Sequence, residues 1–267
     1  MRKFLFLFVF SLLAFPSCKA AAVPRPDPPR EKSYEVRCLK EHGIKIDGIL
    51  SPKEWPEKSW LSDFAYPWRK EEPPRTRFCC VTDGKFIFFA FECRDPDLVL
   101  HGKTPPREEK VAEGDRVEIF FSRDTSLKEY WCVEIGPAGR VLDYKASFYR
   151  KFDDSWDLPG LEVEGRTCRK GYVVEGKFPV SALENLTGVS FLEGRAVLAG
   201  VFRAEFSHSE SSLVEEKWIS WIRPACGKPD FHIPSAFGVF RIQKARKRGE
   251  SKKDQKYSAP PPTSISP

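Results

Sequence analysis

The chain contains a single methionine, the initiator Met1, and only four histidines, His42, His101, His208 and His232, in 267 residues. A haem held by a His/Met pair is therefore excluded once a leader carrying Met1 is removed, and only a bis-histidine arrangement stays open. No C-x-x-C occurs and no cysteines cluster with histidine at zinc spacing, which argues against a structural zinc site. G-x-S-x-G, H-E-x-x-H and P-loop signatures are absent as well. Asp115 and Glu118 come closest to a paired-carboxylate hydrolase motif, but an odd spacing within a strand turns them to opposite faces. No apolar run, the N-terminal one of about 12 residues included, reaches the roughly 18 residues that would span a bilayer as a helix. These absences point away from catalysis.

A formal net charge of +6 is present but unevenly placed. Residues 1–33 carry six basic and two acidic side chains, net +4, and residues 244–267 carry seven and two, net +5. The intervening segment, 34–243, is therefore mildly acidic at −3. A basic core built for nucleic acid is not supported.

Met1-Arg2-Lys3, the apolar stretch from Phe4 to Phe15 and the small residues Ser17-Cys18-Lys19-Ala20-Ala21-Ala22 have the plan of a secretory signal over 1–22. Two processing routes are open: cleavage before Cys18, with lipid attached to that cysteine, or ordinary cleavage after Ala20 or Ala22. Either exports the protein, to the cell envelope or beyond it, without a transmembrane span. Residues 23–33 are proline-rich and read as a spacer. Residues 244–267 run from a basic stretch into Ser-Ala-Pro-Pro-Pro-Thr-Ser and read as a disordered tail. Export leaves seven cysteines, Cys38, Cys79, Cys80, Cys93, Cys132, Cys168 and Cys226, an odd number that cannot pair completely within one chain. Cys79, Cys80, Cys93 and Cys132 fall in apolar runs, where cysteine serves as a small core residue.

With 22 Phe, 7 Trp and 7 Tyr, the chain has ample material for a core. Its pattern is one of short β-rich segments separated by turn signals, with almost no helical periodicity. Thr76–Thr82 and Lys85–Cys93 flank Asp83-Gly84, which predicts a hairpin with a type I′ turn. Strands are predicted at Arg116–Ser122, Glu129–Ile135, Arg140–Phe148, Leu161–Cys168, Tyr172–Phe178, Val197–Phe206, Trp218–Ile222 and Phe237–Ile242, with one short helix at Pro179–Leu186. Roughly ten strands at hairpin spacing predict an all-β antiparallel sandwich.

Several motifs then fall in register. Ile46-Asp47-Gly48-Ile49-Leu50 with Glu54-Trp55, the Asp83-Gly84 hairpin ending in Glu92-Cys93-Arg94-Asp95-Pro96-Asp97, and Gly114-Asp115-Arg116-Val117-Glu118-Ile119-Phe120-Phe121 resemble carbohydrate-binding module family 9. Gly139 with Asp143, Tyr172-Val173-Val174-Glu175-Gly176-Lys177-Phe178-Pro179, Ile219-Ser220-Trp221 and Pro234-Ser235-Ala236-Phe237-Gly238 follow in order, so the resemblance spans 34–243. It implies a jelly-roll β-sandwich that binds poly- or oligosaccharide without cleaving it, in support of separate glycoside hydrolases. A sandwich scaffold or adhesion domain that has lost sugar binding is the alternative.

In this family a sugar is clasped between two tryptophans and hydrogen-bonded by charged side chains, since sugar C–H faces stack on rings while hydroxyls need directional partners. The resemblance places Glu118 at an acidic contact and Phe231 where one clasping tryptophan belongs. The other tryptophan position is Ala112, and a basic contact falls at Glu134. Trp68 and Trp156, in polar loops, are candidates for a relocated platform, and Arg203 and His232 for polar contacts near Phe231. Trp55, Trp131, Trp218 and Trp221 are assigned to the core. The family leaves room for structural calcium, for which Asp95 and Asp97 offer carboxylates, although turn capping is the preferred role and no metal or other cofactor is assigned.

Overall fold

A computed structural model describes residues 32–39, 43–100, 108–188, 196–209 and 213–243. The expected export segment with Cys18, nearly all of the expected spacer, the basic tail, His42 and His101 lie outside those residues. The strands are β1 (Ser33–Cys38), β2 (Trp60–Leu61), β3 (Thr76–Thr82), β4 (Phe86–Arg94), β5 (Arg116–Ser122), β6 (Tyr130–Ile135) and β7 (Val141–Ser147). They continue as β8 (Lys151–Asp153), β9 (Glu162–Cys168), β10 (Gly171–Pro179), β11 (Ala196–His208), β12 (Val214–Ser220) and β13 (Gly238–Ile242), with helix α1 at Val180–Thr187. The protein is thus an all-β sandwich.

The strands run in the order β8-β7-β6-β5-β11-β13-β1-β3-β4-β10-β9, with β12 beside β11 and β2 beside β3. This single path curls into two layers because β1 belongs to both. Its first half, Ser33 to Val36, pairs with β13, and Arg37 and Cys38 pair with β3. Both pairings are parallel, so the expected all-antiparallel pattern is broken at the strand that joins the layers. β11 is equally double-sided in use, lying along β13 at Ala196–Ala199 and along β12 at Phe202–His208. The sequence reading omits β2 and β8, which are two and three residues long, and β1, although its six residues Ser-Tyr-Glu-Val-Arg-Cys alternate polar and apolar.

Between the layers lies a core that includes Phe78, Phe89, Phe91, Val117, Ile119, Trp131, Val133, Phe178, Val201, Trp221 and Phe240. Each such side chain contributes about 1.5–3 kcal/mol by leaving water. Trp55 fills a second cluster outside the layer, with Cys79, Val81 and Phe88, and its Nε1 donates to Glu175 Oε1 at 2.7 Å. Cys79, Cys80, Cys93 and Cys132 are buried free thiols within these strands.

The β3–β4 hairpin forms as expected but not with the expected turn. Register pairs Thr82 with Ile87, so the reversal centres on Gly84 and Lys85, and of these only Gly84 has positive φ, at 86°. A single positive φ at the first central residue is the type II′ pattern, not I′. Asp83 contributes its side chain instead, with Oδ1 accepting from the backbone N–H groups of Lys85 and Phe86 at 2.7 Å each.

Candidate functional site

Strand alternation gives the β5 layer two different faces. Val117, Ile119 and Phe121 enter the core between the layers, whereas Arg116, Glu118 and Phe120 project from the opposite side. β6 repeats this with Tyr130, Cys132 and Glu134 facing out, β7 adds Leu142 and Tyr144, β11 adds Phe202, and β12 adds Trp218. The segment Pro229–His232 lies against this outer face and closes a cavity of about 400 Å³. A Cβ on Gly200 would fall inside the Phe202 ring, so glycine there lets that ring lie flat on its own strand. Phe231 then stacks on Phe202 with centroids 4.1 Å apart and planes at 12°. Trp218 meets Phe231 edge-on at 5.7 Å.

Charged groups occupy the floor. Glu118 and Glu134 are directly opposite one another on β5 and β6. Arg116 Nε donates to Glu134 Oε2 at 2.6 Å and stands 3.0 Å from Glu118 Oε1. One N–H cannot point at both, and the hydrogen bond goes to Glu134, whose other oxygen accepts from the Tyr144 hydroxyl at 2.7 Å. Glu118 Oε1 is left buried without a hydrogen bond. Burial, and next the charge of Glu134, push the Glu118 carboxyl up to about 8, against the pull of Arg116. The proton this keeps at neutral pH makes Glu118 a donor as well as an acceptor. The Arg116 guanidinium also lies 5.4 Å from the Trp218 ring centroid and donates through Nη1 to the Ala112 carbonyl at 3.0 Å.

His232 is held neutral. Burial, reinforced by Arg150 and Arg116, lowers its pKa to about 3, and Nδ1 lies 3.1 Å from the Tyr130 hydroxyl. At the far rim Phe152 packs edge-on to His232 at 5.1 Å and to Tyr144 at 5.3 Å. Asp230 accepts from Arg150 Nη1 at 3.2 Å, and its backbone neighbour His232 donates N–H to the same carboxylate at 2.9 Å.

Of the residues singled out in the sequence, Glu118, Phe231 and His232 meet in this cavity, together with Ala112 and Glu134. The others lie elsewhere. Arg203 is 0% exposed, on the inner face, where Nη2 pairs with Asp95 Oδ2 at 2.8 Å and Nη1 donates to Thr76 and to the Arg94 carbonyl. Trp156 packs against the core between the layers. Trp68 stands behind Phe231, at 5.7 Å, with its indole N–H on the Cys226 carbonyl at 2.8 Å. Trp218, assigned to the core from its place in a strand, instead lines the cavity while staying partly buried. Arg116 and Tyr144 were also missed, although the alternation that exposes Glu118 points to Arg116 two residues before it. Nothing local in the sequence marks Phe152 or Arg150.

The candidate calcium carboxylates do not fit a metal. Asp95 Oδ1 accepts from the Asp97 N–H while its Oδ2 holds Arg203, and Asp97 is taken by His208. Among the described residues no group of three or more His, Cys, Asp or Glu is placed to hold a metal ion. His208 and His232, the two described histidines, are bound to Asp97 and Tyr130 respectively.

Glu118 and Glu134 approach the same Arg116 nitrogen, so they would sit on one side of a ligand. A glycosidase needs its two carboxyl groups on either side of the bond it breaks. The arrangement can orient hydroxyls and stack a ring; it is not built to cleave.

The family model for carbohydrate family 9 binding domain-like proteins matches residues 46–245. A carbohydrate binding module family 9 from Caldicellulosiruptor kristjanssonii, solved in complex with cellotriose, is similar at 16% identity and a TM-score of 0.54, over 88% of this chain and 100% of that one. A Bacteroides uniformis protein with a provisional carbohydrate-binding description is similar at 19% identity and a TM-score of 0.56, over 80% and 100% of the two chains. No curated protein sequence matches the chain.

Proposed function

This chain belongs to the carbohydrate family 9 binding domain-like family, a family of non-catalytic binding modules, and from that premise we propose that it binds a poly- or oligosaccharide in the cavity on the outer face of the β5 layer. The observation that carries this reading is the cavity itself, about 400 Å³ on the outer face, with the rings of Trp218, Phe231 and Phe152 on its walls and the charged groups of Arg116, Glu118 and Glu134 on its floor. Sugar hydroxyls need directional polar partners, which such a floor supplies. The neighbouring rings take the sugar's C–H faces.

The finer reading is that the protein is exported by its N-terminal segment, tethered by lipid on Cys18 or released, and supports glycan breakdown by separate glycoside hydrolases. Holding substrate near such enzymes raises its effective concentration. The loss of one clasping aromatic at Ala112 is offset in this reading by Trp218, which approaches from the other side of Arg116.

Calorimetric titration of the exported chain against soluble oligosaccharides, with pull-down on insoluble glycans, tests the proposal. Binding that weakens about 30-fold in Trp218→Ala and falls in Glu134→Ala supports it. Failure to bind any glycan supports the scaffold alternative.

A further inference from the structure

Most aromatic side chains here are buried, but three within five residues are not: Phe148, Tyr149 and Phe152 are 49%, 47% and 49% exposed. Phe148 and Tyr149 lie on the connection from β7 to β8, and Phe152, which lines the cavity, lies within β8. Resting on the carbohydrate reading above, we propose that the glycan site continues out of the cavity across this aromatic platform, so that the preferred ligand is an oligosaccharide chain of several residues and not a lone terminal sugar.

Continuity with the cavity is the first support. Phe152 belongs to both, lining the cavity while exposing half its surface. The second is fixation. The Tyr149 hydroxyl donates to Asp230 Oδ2, and Arg150 Nη1 pairs with Oδ1 of the same carboxylate, so the connection is moored to the cavity wall. Arg150 also lies 5.5 Å from the Phe152 ring centroid, and Phe148, whose N–H donates to the Leu127 carbonyl at 2.8 Å, sets its ring 5.3 Å from Tyr149. Rings already held in place lose little freedom on binding. The third is size and chemistry. Three half-exposed rings offer on the order of 300 Å², well short of the ~800 Å² per partner of a stable protein interface. Rings interleaved with Arg150 and Asp154 suit a chain that alternates C–H faces with hydroxyls.

The test is calorimetry of the exported chain with gluco-, xylo-, manno- and N-acetylglucosamine oligosaccharides, each from one to six residues. Affinity is expected to rise roughly tenfold from the disaccharide to the hexasaccharide, about 1.4 kcal/mol. Phe148→Ala and Phe148→Leu, which keeps bulk without a flat ring, should each remove most of that rise and leave disaccharide affinity and melting temperature unchanged. Tyr149→Phe, which keeps the ring but releases it from Asp230, should remove a smaller part of that rise. Affinity independent of length, or a Phe148→Ala loss equal for short and long ligands, overturns the extension while the cavity reading stands. Failure of every oligosaccharide to bind the unaltered protein overturns the cavity reading and the extension with it.

Discussion

Arg203 and Arg116 sit on adjacent strands of one layer, β11 and β5, and each is buried beside carboxylates, yet they face opposite ways. Arg203 faces inward and donates three hydrogen bonds, to Thr76, the Arg94 carbonyl and Asp95, with only its Nε unpartnered. Arg116 faces outward, and its Nε stands between two carboxylates while bonding only one. The inner cluster is enclosed by core and holds the layers together. The outer cluster opens on a cavity and leaves an acceptor unfilled. Arg116 also donates through Nη1 to the Ala112 and Gly114 carbonyls, so the two arginines make equal numbers of hydrogen bonds, and what separates them is their surroundings: enclosed core for Arg203, a cavity open to a ligand for Arg116.

Removing the inner arginine should have the largest effect. Arg203→Ala strands Asp95 without its cation, and losing one partner of a buried pair destabilises by about 3–5 kcal/mol. Urea unfolding should show that loss or an unfolded protein. A change below roughly 1 kcal/mol would mean that Arg203 is no structural anchor.

On the outer face, Trp218→Ala should weaken glycan binding about 30-fold, roughly 2 kcal/mol, as expected of a partly buried aromatic at the centre of a site. The melting temperature should fall as well, because the ring packs against the Phe231 and Phe206 clusters, but by less than for Arg203→Ala, since Trp218 lies outside the core between the layers. Equal loss of stability and binding would merge the two faces into one structural unit.

A smaller effect concerns pH. Glu118 rises from an ordinary value of 4.5 to about 8 on folding, through burial first and then Glu134, with Arg116 opposing and Tyr144 and Arg150 also facing the site. The folded protein therefore binds a proton that the unfolded chain has released between those values. Stability contributed by this group is fully present below about 4.5 and declines as pH rises through about 8. Glu118→Gln should flatten the fall in melting temperature across that window. Part of the slope should remain, because Asp115, raised to about 7 chiefly by burial, titrates on the inner side. An unchanged slope would remove Glu118 from the protonated state argued for it.

The smallest effect is expected at Trp156→Ala. That ring only packs against the core edge, so melting should fall modestly and glycan affinity should stay within about twofold.

How much of this could be read from the sequence follows the range of the interactions. β3, β5 and most of β6, β7, β10 and β13 were legible because alternation or an Asp-Gly turn is local. The turn type was not, since Asp83 fixes it through its side chain. The alternation Tyr34, Val36, Cys38 against Ser33, Glu35, Arg37 made β1 legible too, though it went unread; only its place between the layers depends on parallel partners some 45 and 200 positions away. At the site, Glu118, Phe231 and His232 were legible from the family pattern and strand parity. Arg203 was offered as a polar contact near Phe231, but strand parity turns it inward to Asp95. Trp218 looked like core because strands usually bury tryptophan. Here β12 pairs along β11, with one further bridge from Ser220 to Ala65, and its Trp218 is turned to the cavity.

The central claim is that glycan occupies the outer-face cavity against Trp218. Indole N–H resonances of the ¹⁵N-labelled protein, followed through titration with a bound oligosaccharide, test it most directly. The account predicts a large shift for Trp218, a smaller one for Trp68 behind Phe231, and none for Trp156 or Trp55. A shift centred on Trp156, with Trp218 unmoved, would contradict it.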